Sequence, residues 1–116
     1  MALISRYLVC NLVGLMAVGV AHASQPDPTE MLALAKSKVC LGCHQLDAKR
    51  VGPSFTLIAQ RHAGQPGAQE YLASAIRQGG RGRWGAVPMP AQPQVSEADA
   101  KRLAQWILTL KPADSR

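Results

Sequence analysis

The string Cys40-Leu41-Gly42-Cys43-His44 constrains this chain more than any other feature of its 116 residues. C-x-x-C-H is the attachment signature of a c-type haem, and its spacing has a physical basis. On a helical turn, positions three and four apart share a face. Cys40 and Cys43 therefore reach the two vinyl edges of one porphyrin and form thioethers, while His44, on the same side, directs its imidazole at the iron. Other chemistries of a C-x-x-C pair fit less well. Zinc wants four ligands, usually as two separated pairs. Beyond the N-terminal leader the soft or imidazole donors are Cys40, Cys43, His44 and His62, with no second pair. A redox dithiol of the thioredoxin kind ends a strand in a βαβ pattern, and no such pattern is visible; the dithiol is still the main competitor.

The first 23 residues have the form of a secretory signal. Arg6 supplies the positive start, Tyr7 to Val20 is apolar apart from Asn11, and Ala21-His22-Ala23 has the A-x-A cleavage form. The apolar run is short for a membrane-spanning helix. Cleavage after Ala23 leaves one domain, residues 24–116, and removes Cys10 with the leader. Export delivers the chain to a compartment where thiols tend to oxidise, and the remaining two cysteines both lie in the haem motif. The expected location is the periplasm, with no stable membrane insertion after cleavage. The whole chain has 13 Lys+Arg against 7 Asp+Glu. No block of like charges marks a nucleic-acid tail, so no nucleic-acid partner is expected. Lys36, Lys38, Lys49 and Arg50 flank the motif, and Arg77, Arg81 and Arg83 precede Trp84. These form either an ordinary solvated surface or a positive rim that steers acidic partners.

Aromatic content is only 4%, and a domain of this size has a thin core that usually needs a staple. A covalently held porphyrin is such a staple, so the apo-protein should be largely unfolded. The rest of the sequence reads as helices joined by Gly/Pro loops. The first opens at Asp27-Pro28-Thr29-Glu30, a capping-box pattern with Pro at N1, and its face of Met31, Leu32, Leu34 and Ala35 carries it into Cys40. Asp47 to Pro53 is loop. Ser54 to Arg61 forms a short helix with Phe55, Leu57 and Ile58 inward, and Ala63 to Gly67 breaks it. Ala68 to Gln78 presents Leu72, Ala75 and Ile76 and stops at Gly79-Gly80. After a Gly/Pro-rich loop to Val95, the last helix starts with Ser96 as N-cap. It shows Leu103, Trp106, Ile107 and Leu110 on one face, and Pro112 follows its end. No convincing strand is present, so the fold class is all-α.

An iron held by His44 needs a second ligand, a water or nothing. Met1 and Met16 fall in the leader, and Met31 packs into the first helix. Met89 sits in Val87-Pro88-Met89-Pro90, where flanking prolines fix their own φ and push each preceding residue to extended geometry. Such a loop holds a thioether with little ordering entropy left to lose. It lies 45 residues past His44, far enough to reach the opposite face of a porphyrin. His62, near a helix end, is the rival ligand.

These motifs, together with Val51-Gly52-Pro53, Trp84-Gly85-Ala86-Val87-Pro88-Met89-Pro90 and Leu103-Ala104-Gln105-Trp106-Ile107-Leu108, resemble the small single-haem class I cytochromes c of bacteria, from about Asp27 to Lys111. The resemblance implies a cytochrome c fold of about four helices around one covalent haem c. It implies His44 and Met89 as iron ligands, the Pro53 carbonyl as acceptor of the His44 N–H, and Trp84 as donor to a haem propionate. Four positions depart from the family pattern. Pro90-Ala91-Gln92 stands for Pro-Pro-Asn, so the amide that can hydrogen-bond the methionine sulfur is longer. Val39 replaces a common glycine and should widen the crossing with the last helix near Trp106. His62 replaces an apolar aromatic, and Ala75 a basic propionate partner. The implied function is a one-electron carrier, not an enzyme, moving electrons between respiratory complexes and a terminal oxidase or reductase; the chain is expected to be a monomer, and the positive rim points to redox partners with acidic docking surfaces. The alternative is a five-coordinate haem protein that binds gas or peroxide.

Overall fold

A computed structural model describes residues 24–113, together with Gly19, Val20 and His22. Apart from those three, the leader assigned to residues 1–23 lies outside the described residues, as do residues 114–116. The described chain is all-α: α1 Pro28–Ser37, a 3-10 turn Cys40–Gly42, α2 Phe55–His62, α3 Ala68–Gln78 and α4 Glu97–Thr109. Two isolated bridges, His44 with Lys49 and Gly80 with Met89, are the β-type pairings among these residues. No helix of the described residues is long and apolar enough to cross a membrane.

Short-range chemistry sets the helix starts. Side-chain oxygens of Asp27, Ser54 and Ser96 accept from the backbone N–H three residues on, at 2.9, 3.1 and 3.0 Å, which satisfies donors a helix start would otherwise leave unpaired. The reciprocal half of the expected capping box at α1 does not form, because the Glu30 carboxylate pairs with Arg102 on α4 instead. Arg102 also meets Asp99 at 3.6 Å, and Asp99 meets Lys38 at 3.5 Å. This chain of pairs closes the α1–α4 seam, although each part-exposed pair is worth only about 0–1 kcal/mol.

Helix α4 is the spine, packing against α3, α2 and α1. Its Leu103, Trp106 and Ile107 meet Met31 and Ala35 of α1, Phe55 and Ile58 of α2, and Leu72 of α3 in one core. Two expectations are corrected here. Leu57 points to solvent, while Thr56 takes an inward position beside Ser54. Helix α1 ends at Ser37, short of Cys40, because Val39 adopts the left-handed region at φ 66°. Val95, in the loop before α4, is wholly buried and plugs the same core.

Candidate haem-binding site

The left-handed step at Val39 turns the chain out of α1 and into a tight turn. Backbone N–H groups of Cys43 and His44 both close on the Cys40 carbonyl, at 3.2 and 3.0 Å. Cys40, Cys43 and His44 thereby line one cavity, Cys40 half-buried and Cys43 exposed. The Val39 side chain is 70% exposed at the rim of that cavity. The expectation that it wedges α1 from α4 is therefore overturned, because what the position demands is a conformation rather than room. Burial pushes the Cys40 thiol above its ordinary range, with a backbone hydrogen bond acting weakly the other way. Cys40 is therefore not the lowered-pKa nucleophile that a redox dithiol needs. Among the described residues no three His, Cys, Asp or Glu side chains cluster closely enough to hold a bare metal ion.

His44 is built into the core. Its ring is buried, stacks on Phe55 at 5.3 Å and 17°, and donates from Nδ1 to the Pro53 carbonyl at 2.7 Å. A carbonyl oxygen only accepts, so the proton sits on Nδ1 and the Nε2 lone pair is left for a metal. The loop that delivers Pro53 is tied back by Gly52 N–H to the Cys43 carbonyl at 2.8 Å and by Phe55 N–H to that of Gln45 at 2.9 Å. Gly52 faces the imidazole so closely that a Cβ there would lie 2.7 Å from Cε1 and 3.0 Å from Nδ1 of His44. The Val51-Gly52-Pro53 motif was legible in the sequence, but the spatial need for its glycine was not.

Met89 reaches the same cavity from the other end of the chain. Helix α3 stops at Gly79, φ 70°, and the next residue, Gly80, exchanges both backbone hydrogen bonds with Met89, at 2.9 and 2.8 Å. A Cβ on Gly79 would overlap the Met89 carbonyl oxygen and approach Ala91 N to 2.7 Å. Two glycines that read as a helix stop are thus also the seat of the methionine loop. Gln92 N–H donates to the Arg77 carbonyl at 3.1 Å, and Arg77 Nε to that of Val95 at 3.3 Å, fastening the loop to the end of α3.

Trp84 is half-buried at the cavity mouth. The Arg61 guanidinium lies over its ring at 4.3 Å and donates to the Arg83 carbonyl at 2.5 Å, while Arg83 lies over Tyr71 at 5.1 Å. His62 lines the cavity as well, but its ring packs on Tyr71 at 5.2 Å and its Nδ1 meets Gln65 Oε1 at 3.3 Å. Met31 is wholly buried between the helices and does not line the cavity. Ala75 lines the wall, with Arg81 and Arg83 at the same mouth. The Gln92 amide donates to the Pro90 carbonyl at 3.0 Å. Lys38 is drawn to Asp99 and Arg77 Nε to the Val95 carbonyl; Lys36, Lys49, Arg50, Arg77, Arg81 and Arg83 of the two expected clusters are exposed.

The donor set fits a c-type haem. Two thiols on one turn, an imidazole with its tautomer fixed and a thioether line a cleft whose inner wall includes Ile58, Leu72, Ile76, Leu103 and Ile107, the apolar lining a porphyrin needs.

Comparison with known proteins agrees. The family model described as Cytochrome c matches residues 32–111. Cytochrome c-552 of Hydrogenobacter thermophilus is 45% identical over 91% of this chain and 98% of its own length. Cytochrome c-551 of Azotobacter vinelandii is 53% identical over 67% of this chain and 94% of its own. The crystal structure of Nitrosomonas europaea cytochrome c552 superposes with a TM-score of 0.68 at 50% identity, covering 69% of this chain and 99% of that one.

Proposed function

The chain belongs to the cytochrome c family, and on that premise we propose that it is an exported, periplasmic one-electron carrier whose haem iron is held by His44 and Met89. Family membership carries the covalent c-type haem with it, and Cys40 and Cys43 are the two cysteines of the attachment motif. The observation that supports the ligand assignment best is the 2.7 Å bond from His44 Nδ1 to the Pro53 carbonyl. It fixes the tautomer and raises the basicity of the other nitrogen, as partners of ligating histidines do.

Bound, the haem supplies a reversible Fe(III)/Fe(II) couple, and His/Met ligation places its potential high because the thioether favours the reduced iron. The chain's own task is to hold two ligands so that neither is made nor broken as the electron passes. His44 is locked by Phe55, Gly52 and Pro53, and Met89 is seated on Gly80 between two prolines. With both ligands supplied by the protein, no position is left for a substrate, which favours a carrier over an enzyme. Trp84, braced by Arg61, caps the mouth where propionates would lie.

Exposed Lys36, Lys49 and Arg50 flank the attachment turn, and a positive rim of this kind governs encounter rate and salt dependence more than affinity. The expected partners are redox proteins with acidic docking faces, met in small transient contacts. Electron-exchange rates that stay flat across ionic strength would remove the steering. The ligand assignment is tested by the ferric absorption spectrum. A near-infrared sulfur-to-iron band is expected. A high-spin spectrum with rapid carbon monoxide binding would instead identify a five-coordinate haem protein.

A further inference from the structure

The methionine loop is tied to the haem-attachment segment by two side-chain amides in series. Gln94 Nε2 donates to the Lys38 carbonyl at 3.3 Å and to Gln92 Oε1 at 2.7 Å, and Gln92 Nε2 donates to the Pro90 carbonyl at 3.0 Å. Lys38 lies two residues before Cys40, and Pro90 is the residue after Met89. The relay therefore joins the two stretches of chain that flank the cavity. Gln94 spends both amide hydrogens on it, and the Gln92 oxygen is an acceptor within it. Backbone bonds hold the loop's other edge to α3, so the relay is its link to the α1 side.

We propose that Gln94 is a positioning residue for Met89: by bridging Lys38 and Gln92 it holds the loop shut, and it sets how readily the thioether leaves ferric iron to an outside ligand. This rests on Met89 being the iron ligand. An exogenous ligand reaches iron after Met89 swings away, so its apparent affinity scales with the population of the open loop. Removing a hydrogen bond that exists only in the closed loop raises that population without touching the iron.

The experiment is an imidazole titration of ferric holoprotein, read at the sulfur-to-iron band, with thermal melting of the same samples. Wild type is compared with Gln94→Ala and with Gln94→Glu, which keeps the length and loses the donors. Gln69→Ala serves as control, since Gln69 Nε2 also ties two elements, donating to the Lys101 carbonyl at 3.3 Å, between α3 and α4 and away from the methionine loop. Both Gln94 variants should bind imidazole about fivefold more tightly, the ratio that two exposed hydrogen bonds at the low end of ordinary net strength produce together. Gln69→Ala should leave imidazole binding unchanged even where its melting temperature falls as far. Equal imidazole affinity in wild type and both Gln94 variants, with the sulfur band present, would overturn the relay and leave the ligand assignment standing. A wild-type spectrum without the band and identical to that of Met89→Ala would overturn the ligand assignment and the relay with it.

Discussion

The two ends of the cavity are built differently. The His44 side is an extension of the core: a buried ring, a stacked Phe55, a glycine pressed against the imidazole and a carbonyl that fixes its proton. The Met89 side is a strap. Residues 81–91 are exposed apart from Trp84 and Met89, which are half-buried, and the strap hangs from the end of α3 through one backbone bridge and a few peripheral bonds. Local openings draw on segments with few buried apolar contacts. On the proposed ligand set, His44 should therefore move only when the protein unfolds, whereas Met89 can leave while the helices stay packed. With His44 and Met89 as the proposed ligands, a carrier built this way would keep its cofactor on one side and adjust its potential on the other.

Removing each proposed ligand in turn is the widest test of that contrast. His44→Ala should yield almost no mature holoprotein, measured as haem absorbance per exported chain, because the motif loses its histidine and the core its stacked ring. Met89→Ala should give holoprotein in near-normal amount, with a much lower midpoint potential and an iron open to imidazole. Equal yields from the two variants would break the asymmetry. So would a Met89→Ala protein whose potential equals that of wild type.

Glycine substitutions sharpen the comparison at a smaller scale. Gly79→Ala puts a side chain at φ 70° and against the Met89 carbonyl. With ψ at −162° this backbone region is essentially reserved for glycine, so the backbone term alone costs about 1–3 kcal/mol, and the overlap must move the strap. The sulfur-to-iron band should shift or fade, with unfolding in urea lowered by about 2 kcal/mol or more. Gly52→Ala meets the imidazole rather than backbone, and overpacking of this kind costs about 1–3 kcal/mol. Its signature should be a weakened His44–Pro53 bond, read as a displaced His44 ring N–H resonance, with the methionine band preserved. If both alanines perturb the same ligand, the two ends are not independent.

How much of this was legible in the sequence depends on range. Caps act over three residues, so Asp27, Ser54 and Ser96 announced three helix starts, and the period of α4 announced its buried face. Cys40, Cys43, His44, Pro53, Trp84 and Met89 could be picked out because each sits in a short motif, and the fold gathers all six at one cavity. What the sequence hid were meetings between distant atoms. Gly52 faces a ring eight residues back, Gly80 pairs with Met89, Glu30 leaves its own helix start for Arg102, and Lys38 is claimed by Asp99. No local pattern encodes these, because tertiary packing decides between partners of similar local merit. Leu57 failed for the same reason: on a two-turn helix, a small rotation trades Leu57 for Thr56.

Val39 gives the smallest effect and the most informative sign. It is the one non-glycine residue among those described with positive φ, and it precedes the attachment turn on the proximal side. If that side is rigid for its own sake, relaxing Val39 should add stability and leave the potential alone. A β-branched residue in the left-handed region costs about 2 kcal/mol, the upper end of the usual range. Replacing it by glycine gives back up to about 1 kcal/mol through the freer unfolded chain. The valine side chain is 70% exposed, so little burial is lost with it. The balance favours Val39→Gly by about 1 kcal/mol, an increase in melting temperature of about 4–8 °C for a domain of this size. An unchanged potential in a more stable variant would show that the strain is incidental to the iron. A lower melting temperature would mean that the exposed valine covers apolar surface whose burial outweighs its strained backbone.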